Sequence, residues 1–190
     1  ILIASHLFSD APHGDGLDMV FEGYFSQLKD TLNFIDENEI KNVLWLVRPH
    51  PLSKDYQEVG IVENLVKKIN NKNIILCPKS ISTQNLLEIC DHVITTRGTI
   101  GLEFACYGKC PIIAGISSYS KLNIALEPKN KKKYFLYLKQ IKRLPRLNKK
   151  QVLKARQALY FLEKTELWDK KLKKSEIFLN SHKNNINWGD

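Results

Sequence analysis

Three threonines and two glycines stand close together in one segment, directly after a short apolar run. The segment consists of Thr95, Thr96, Arg97, Gly98, Thr99, Ile100 and Gly101. Hydroxyl groups bind phosphate oxygens, and glycine lets a ligand come close to the backbone. Because the next residues are typical of a helix, the segment also predicts a helix N-terminus, whose unpaired N–H groups and positive dipole end favour an anion. These residues and their spacing therefore predict a phosphate site.

A second interpretation of the same segment stays open. Many α/β proteins contain a well-capped helix after a strand without binding a ligand there. Glu103 falls in the first turns of this predicted helix. It is suited to accept hydrogen bonds from a ribose, or simply to favour the positive helix end.

His50 stands between two prolines, after the apolar run 43–47. Pro49 and Pro51 restrict the backbone on both sides, which holds the imidazole in a defined place. His50 can then donate to a phosphate or, when protonated, offset the charge of a leaving nucleotide. Arg48 either helps to bind this anion or pairs with a carboxylate. The alternative for His50 is a structural role, packed in a tight turn.

Polar residues also follow the first apolar run. Ser5 and His6 are expected to contact the ligand. His6, Asp10 and His13 are metal-ligand types, but their spacing matches no strong metal signature, and no metal is expected. The chain lacks the Walker A, Gly-x-Gly-x-x-Gly and Gly-x-Ser-x-Gly patterns, which disfavours a P-loop kinase, a Rossmann dehydrogenase and an α/β-hydrolase.

Apolar runs alternate with amphipathic segments along the first 120 residues. The predicted strands are 1–4, 42–47, 73–77, 92–95 and 111–114, and the predicted helices are Asp18 to about Glu39, Tyr56–Asn70, Ser82 or Thr83 to Ile89, and Ile100–Tyr107. Such short apolar strands are typical of a parallel sheet covered on both faces. Their alternation with helices predicts right-handed crossovers and an α/β, doubly wound, Rossmann-like sheet.

Ligands of such sheets bind outside the carboxyl ends of the strands. The residues predicted at these ends are polar or rich in glycine and proline, as a binding edge requires. They are Ser5–Ser9, Arg48–Pro51, Pro78–Ser80, Thr95–Gly98 and Gly115–Tyr119.

The C-terminal third is predicted to add helices. Lys129–Arg146 is basic and helical but interrupted by Pro145, Asn148 caps a helix to about Lys164, and a last helix runs from Glu166 to about Ser181. Residues 1–120 carry 10 Lys and Arg against 14 Asp and Glu, whereas residues 121–190 carry 19 against 6. This asymmetry favours a local surface for a membrane leaflet, an acidic polymer or nucleic acid, or else a solvated lysine-rich face.

Composition describes an ordinary globular chain of 190 residues, with 43% hydrophobic and 26% charged residues. No apolar run approaches the roughly 20 residues that span a bilayer. The start lacks both Met and a basic leader, from which we expect a fragment of a longer protein. Cys77, Cys90, Cys106 and Cys110 lie in or beside apolar segments, so buried free thiols in a reducing compartment are expected.

Taken together, these motifs resemble the C-terminal, donor-binding half of GT-B glycosyltransferases. The resemblance is to bacterial capsule and lipopolysaccharide transferases that use CMP-activated sugars, such as Kdo transferases and sialyltransferases. Those families share a His-Pro motif after one strand and a Ser/Thr-rich motif before a helix. Here the motifs are Arg48–Pro51 and Thr95–Glu103, followed by Cys106–Ile113. The resemblance covers roughly residues 1–120.

The resemblance implies roles for these residues. His50 and the Thr95–Thr99 turn would hold the donor phosphate, Pro78–Ser80 would lie near the base, and Glu103 near the ribose or phosphate. The implied donor-binding set is Ser5, His6, Arg48, His50, Pro78, Lys79, Ser80, Thr95, Thr96, Gly98, Thr99, Ile100, Gly101 and Glu103. The nucleotide sugar is a substrate, and no metal or other cofactor is required.

The donor and the rest of the enzyme stay open. Thr-Thr stands where sialyltransferases often have Ser-Ser, and the CDP-glycerol and CDP-ribitol polymerases carry similar motifs. The resemblance implies a nucleotide-binding domain over 1–125, a basic helical extension over 126–190, and a separate N-terminal domain that binds acceptor and often supplies the base. The acceptor would be a polysaccharide or lipid-linked, and the location cytoplasmic, with peripheral membrane contact through the basic third.

Two rival functions are a non-catalytic α/β module that binds nucleic acid through its basic helices and a sugar-nucleotide epimerase of the same fold. Nucleic acid is disfavoured because aromatic residues are not interleaved with the basic ones as stacking platforms.

Overall fold

The computed structural model describes residues 1–10, 18–38 and 40–164. Within these ranges the strands are β1 (Leu2–Ala4), β2 (Trp45–Arg48), β3 (Ile74–Leu76), β4 (Val93–Thr95) and β5 (Ile112–Ile113). They form one all-parallel sheet in the order β3-β2-β1-β4-β5. The chain winds outward from β1 to β3 and then crosses back to β4, so the winding direction reverses between β1 and β4. This order confirms the predicted doubly wound, Rossmann-like fold.

Six helices flank the sheet in the described part of the chain. They are α1 (Tyr24–Glu37), α2 (Ile61–Lys67), α3 (Thr83–Ile89), α4 (Thr99–Cys106), α5 (Lys131–Lys139) and α6 (149–164), and a 3₁₀ turn (Ile141–Arg143) follows α5. The Ser82 hydroxyl caps α3 by accepting from Asn85 N–H at 3.1 Å. Asn148 Oδ1 caps α6 by accepting from Gln151 N–H at 3.0 Å, and both caps agree with the sequence prediction. None of these helices combines the length and apolarity needed to span a bilayer.

The two faces of the sheet bury different side chains, because neighbouring residues of a strand point to opposite faces. Ile3 and Trp45 pack in one cluster with α1 and α2, whereas Leu2 and Leu46 pack in another with α3 and α4. The four cysteines are free and buried, so their predicted burial is confirmed. With both faces covered by helices, the carboxyl edge of the strands is left as a place for polar groups.

The basic C-terminal helices are attached to both helical layers. On α5, the Tyr134 hydroxyl accepts from Gln27 Nε2 at 2.8 Å and lies 2.7 Å from Thr31 Oγ1, which joins α5 to α1. On α6, the fully buried Ala155 shares a cluster with Leu102 of α4.

The helix predicted from Asp18 begins later, at Tyr24, so its predicted start is wrong. Asp18 and Val20 instead extend the sheet edge beyond β5: Val20 N–H donates to Ala114 O at 2.8 Å, and Ile116 N–H donates to Asp18 O at 2.9 Å. The cap of α1 is Gly23, whose N–H donates to Ser26 Oγ at 3.0 Å. Backbone pairing with a distant segment therefore prevails over the local tendency of these residues to begin a helix.

Two further predicted helices are shorter than expected. The helix predicted over 56–70 is limited to Ile61–Lys67, because Gly60 adopts a left-handed backbone (φ 91°) and residues 51–57 form turns. The helical stretch predicted over 129–146 ends at Lys139 and continues only as the 3₁₀ turn. The helix predicted from Glu166 lies outside the described residues, as do His13 and Glu39.

Candidate functional site

A cleft of about 190 Å³ opens at the carboxyl ends of β1, β2 and β4. Its lining comprises Leu2, Ala4, Ser5, His6, Arg48, Pro49, His50, Pro51, Thr83, Thr95, Gly98, Thr99, Ile100 and Glu103. The winding of the sheet reverses between β1 and β4, and this is where doubly wound folds bind ligands. Nine of the predicted site residues meet in this cleft.

The N-terminus of α4 forms one wall of the cleft. Gly98 N–H donates to Thr95 Oγ1 at 3.3 Å, and the Tyr119 hydroxyl donates to Gly98 O at 2.8 Å. These two bonds hold the turn before the helix. Thr99 and Ile100 then line the cleft as the first residues of α4, where helix N–H groups lack intrahelical acceptors. The wall is therefore suited to bind an anion.

Two predicted residues of this segment lie away from the cleft lining. Thr96 is buried (1% exposed), and its hydroxyl donates to Gln27 Oε1 at 3.5 Å. Gly101 is also buried and faces Tyr119, whose hydroxyl occupies the space where a side chain would begin. The structure thus explains Gly101 by its packing against Tyr119, not by the approach of a ligand.

We expect Gly101→Ala to lower the free energy of unfolding by about 1–3 kcal/mol, because the new methyl group overlaps the Tyr119 hydroxyl. Urea denaturation of Gly101→Ala, Tyr119→Phe and the double variant tests this. Removing the hydroxyl relieves the overlap, so the double variant should lose less than the two single losses added together. Strictly additive losses would contradict this explanation.

His50 is held by its own loop. Its Nδ1 accepts a hydrogen bond from Leu52 N–H at 3.2 Å, so the neutral ring carries its proton on Nε2 and keeps that group as a donor. Burial lowers the pKa of His50, and the nearby carboxylates of Glu58 and Asp10 oppose this only in part. The neutral form is therefore favoured near pH 7, so His50 is suited to donate a hydrogen bond rather than to carry a permanent charge.

His6 faces His50 across the cleft, with their ring centroids 5.9 Å apart. The His6 ring stacks on Tyr24, the first residue of α1, at 4.0 Å between centroids. Burial lowers the pKa of His6, and its Nδ1 lies 3.7 Å from Asp10 Oδ2. No cluster of three metal-ligating side chains occurs among residues 1–10, 18–38 and 40–164.

Arg48 and Glu103 bring opposite charges into the cleft. The Arg48 guanidinium donates to Thr83 Oγ1 of α3 at 3.3 Å. Half-burial raises the pKa of Glu103, and the positive charge of Arg48 partly offsets this. The salt bridges found in the described ranges do not include Arg48. Arg48 is therefore available to an anionic ligand.

The cleft also contains a buried hydroxyl group. Ser5 is 6% exposed and lines the cleft, and its Oγ has no hydrogen-bond partner among the described residues. The hydroxyl of Tyr24, whose ring stacks on His6, is also buried and has no hydrogen-bond partner among the described residues. Because buried polar groups are nearly always hydrogen-bonded, the Ser5 hydroxyl is suited to bind a ligand that enters the cleft.

Glu58 does not line the cleft but holds one of the loops that form it. The sequence analysis did not predict this role. The buried carboxylate of Glu58 accepts from Phe8 N–H at 2.9 Å and from Ser9 N–H and Ser9 Oγ, both at 2.7 Å. These bonds tie the loop after β1, which begins with Ser5 and His6, to the loop after β2. No local pattern could reveal this, because Glu58 and its partners are 49 and 50 residues apart in sequence.

Pro78, Lys79 and Ser80 are exposed and do not line the cleft. They follow β3, which is separated from β1 by β2. Because strands lie about 4.8 Å apart, this distance is about 10 Å across the sheet, comparable to the length of a nucleotide. They can meet only a ligand that extends beyond the cleft along the sheet edge.

The solved structures that are similar to this chain include a transferase. This is the KpsC of Thermosulfurimonas dismutans, a beta Kdo 2,4 transferase, with 15% identity and a TM-score of 0.45. The match covers 81% of this chain and 42% of that chain, so this chain spans less than half the length of the similar structure. A likeness at this level concerns the fold alone. No protein-family model and no curated protein matches the sequence.

Proposed function

We propose that this chain is the donor-binding part of a glycosyltransferase that transfers a nucleotide-activated sugar to a bacterial surface polysaccharide. The observation that carries the proposal is the cleft itself. Where the winding of the sheet reverses, the cleft brings together the N-terminus of α4, the Nε2–H group of His50 and the Ser5 hydroxyl, which has no partner among the described residues. These are three independent groups that suit a phosphate ester. A packed turn without a ligand leaves this hydroxyl without a hydrogen-bond partner among the described residues.

The same groups suit the chemistry of sugar transfer. As the bond between the anomeric carbon and the donor phosphate oxygen breaks, both bonding electrons stay on that oxygen. The first N–H groups of α4, His50 Nε2–H and Arg48 stabilise this growing negative charge without a metal. The acceptor hydroxyl forms the new bond to the anomeric carbon, and its proton passes to a base, which we do not assign to any residue of this chain.

Within this proposal, Glu103 is suited to bind a ribose hydroxyl, since its half-buried carboxyl lies on the cleft wall one turn beyond the phosphate position. Pro78–Ser80 would meet the base of a donor that extends along the sheet edge. Thr96 and Gly101 would then support the binding turn from within the core rather than contact the donor.

A nucleotide panel tests the proposal and identifies the donor class. Calorimetric and thermal-shift titration of this chain with CMP, CDP, UDP and GDP should show selective binding of one nucleotide. Selective CMP binding supports a CMP-sugar, which the sequence motifs favour, and selective CDP binding supports a glycerol or ribitol phosphate donor. If none of the four binds to the chain at millimolar concentration, the proposal fails for this chain.

Ser5→Ala separates a ligand-binding hydroxyl from a structural one. Because Ser5 Oγ has no partner among the described residues, its removal should leave the free energy of unfolding unchanged or slightly raised. The same variant should weaken binding of the selected nucleotide by about tenfold, through loss of one buried hydrogen bond. Urea denaturation and calorimetry measure the two effects. A variant that loses stability but keeps its affinity would contradict the assignment.

A further inference from the structure

A shallow apolar groove lies between α1 and α5, on the surface of the basic third of the chain. Its floor is formed by Phe34, Phe135 and Leu136, and its rim by Lys132, Lys133 and Lys139. The rings of Phe34 and Phe135 stack at 4.4 Å between centroids, and Leu136 is 40% exposed. We call this surface the α5 groove. Its volume is about 550 Å³.

The cations around the α5 groove come from α5 and the segment that follows it, whereas α1 also contributes acidic residues. Residues 128–146 contain eight Lys and Arg and no Asp or Glu. Two of these cations are neutralised in the described structure: Lys131 pairs with Glu22 and Asp30, and Arg146 pairs with Asp91. For the other six, the described ranges contain no salt bridge. This excess of positive charge favours an anionic partner.

The lysines of the rim are arranged along apolar surface. Lys139 Nζ lies 5.5 Å from the centroid of Phe34, and Lys133 Nζ lies 4.9 Å from that of Tyr137. Both ammonium groups therefore lie over aromatic rings, and lysine beside exposed aromatic and aliphatic surface suits a membrane interface, where a side chain can bury its stem and keep its charge in water. A polyanion in solution would use the charges but not the exposed floor.

We propose that the α5 groove is a docking surface for an anionic lipid bilayer. The rim lysines pair with lipid phosphates, and Leu136 with its aromatic neighbours enters the boundary between headgroups and acyl chains. This inference does not depend on nucleotide binding in the cleft, which lies at the carboxyl edge of the sheet. It would hold this chain against the surface on which lipid-linked acceptors are found.

Sedimentation with vesicles tests the proposal. The 190-residue chain should bind vesicles that contain phosphatidylglycerol, fail to bind pure phosphatidylcholine, and lose binding as salt rises. Replacing Lys132, Lys133 and Lys139 together by Gln should weaken binding on the order of 100-fold. The matched control replaces the exposed Lys67, Lys68 and Lys72 of the α2 region by Gln and should bind like the wild type.

A second variant separates a bilayer from a soluble polyanion. Leu136→Ser keeps every charge and changes an exposed residue, so the fold should persist, as circular dichroism can verify. Vesicle binding should fall by roughly tenfold, whereas binding to heparin or RNA should be unchanged. The proposal is overturned if Leu136→Ser binds vesicles like the wild type, or if the two triple variants lose binding equally.

Discussion

Replacing His50 by alanine is expected to weaken binding of the selected nucleotide by on the order of 10- to 100-fold, the effect of one hydrogen bond to a charged group. His50 lines the cleft, and its Nδ1 is occupied by Leu52 N–H, so the lost group is the Nε2–H donor. Stability should change little, because His50 is only partly buried. Calorimetric titration and thermal melting measure the two properties.

Conservative replacements identify the nitrogen that acts. The amide nitrogen of glutamine reaches about as far from the backbone as Nε2 of histidine, whereas asparagine reaches about as far as Nδ1. His50→Gln should therefore keep more affinity than His50→Asn. Lys54→Ala, an exposed change in the same loop outside the cleft lining, is the control and should bind like the wild type. Equal affinities of wild type and His50→Ala would remove His50 from the site.

Glu58→Gln is expected to lower the free energy of unfolding at pH 7 by about 1–3 kcal/mol. Both carboxylate oxygens accept hydrogen bonds from Phe8 and Ser9. In glutamine one of these oxygens is replaced by an NH₂ group, which cannot accept a hydrogen bond. The loop that follows Ser5 and His6 would be released, so nucleotide affinity should fall as well. Urea denaturation and calorimetry test the two effects. Asp55→Asn, which changes the same charge at an exposed position of the same loop, should do neither.

The pH dependence of stability gives an independent test of Glu58. Burial raises its pKa, but the hydrogen bonds from Phe8 and Ser9 outweigh burial, so its pKa in the folded state is below the ordinary value. A depressed folded pKa means that this stabilisation is present above the unfolded pKa of about 4.3 and is lost as pH falls through the folded value. The loss of stability in Glu58→Gln should therefore shrink as pH is lowered below about 4. A difference that is constant between pH 7 and pH 3 would contradict this assignment.

The α/β class, the number of strands and most cleft residues were predictable because their causes are local. A run of apolar residues such as 45–47 is buried on both faces of the sheet, and Ser82 and Asn148 cap helices through partners three residues away. The polar residues that follow such strands must then gather at one edge of a parallel sheet. His50 and the turn before α4 reach the cleft for this reason.

The errors have the opposite cause. Asp18 was predicted to begin a helix, but pairing of Asp18 and Val20 with Ile116 and Ala114 made that segment part of the sheet edge. Gly101 resembles a ligand-binding glycine in sequence, yet the space beside it belongs to Tyr119. Each outcome depends on a residue far away in the chain, so no window of neighbouring residues contains the information.

The sequence by itself determined the alternation of strands and helices, the basic C-terminal third and the polar strand ends, because each follows from the burial and propensity of neighbouring residues. Only the tertiary structure decided which of these ends share a cleft. The order β3-β2-β1-β4-β5 brings the ends of β1, β2 and β4 together and leaves Pro78–Ser80 outside. It also recruited Glu58 to hold the loop after β1, because a buried carboxylate is stable only where folding supplies its hydrogen-bond donors.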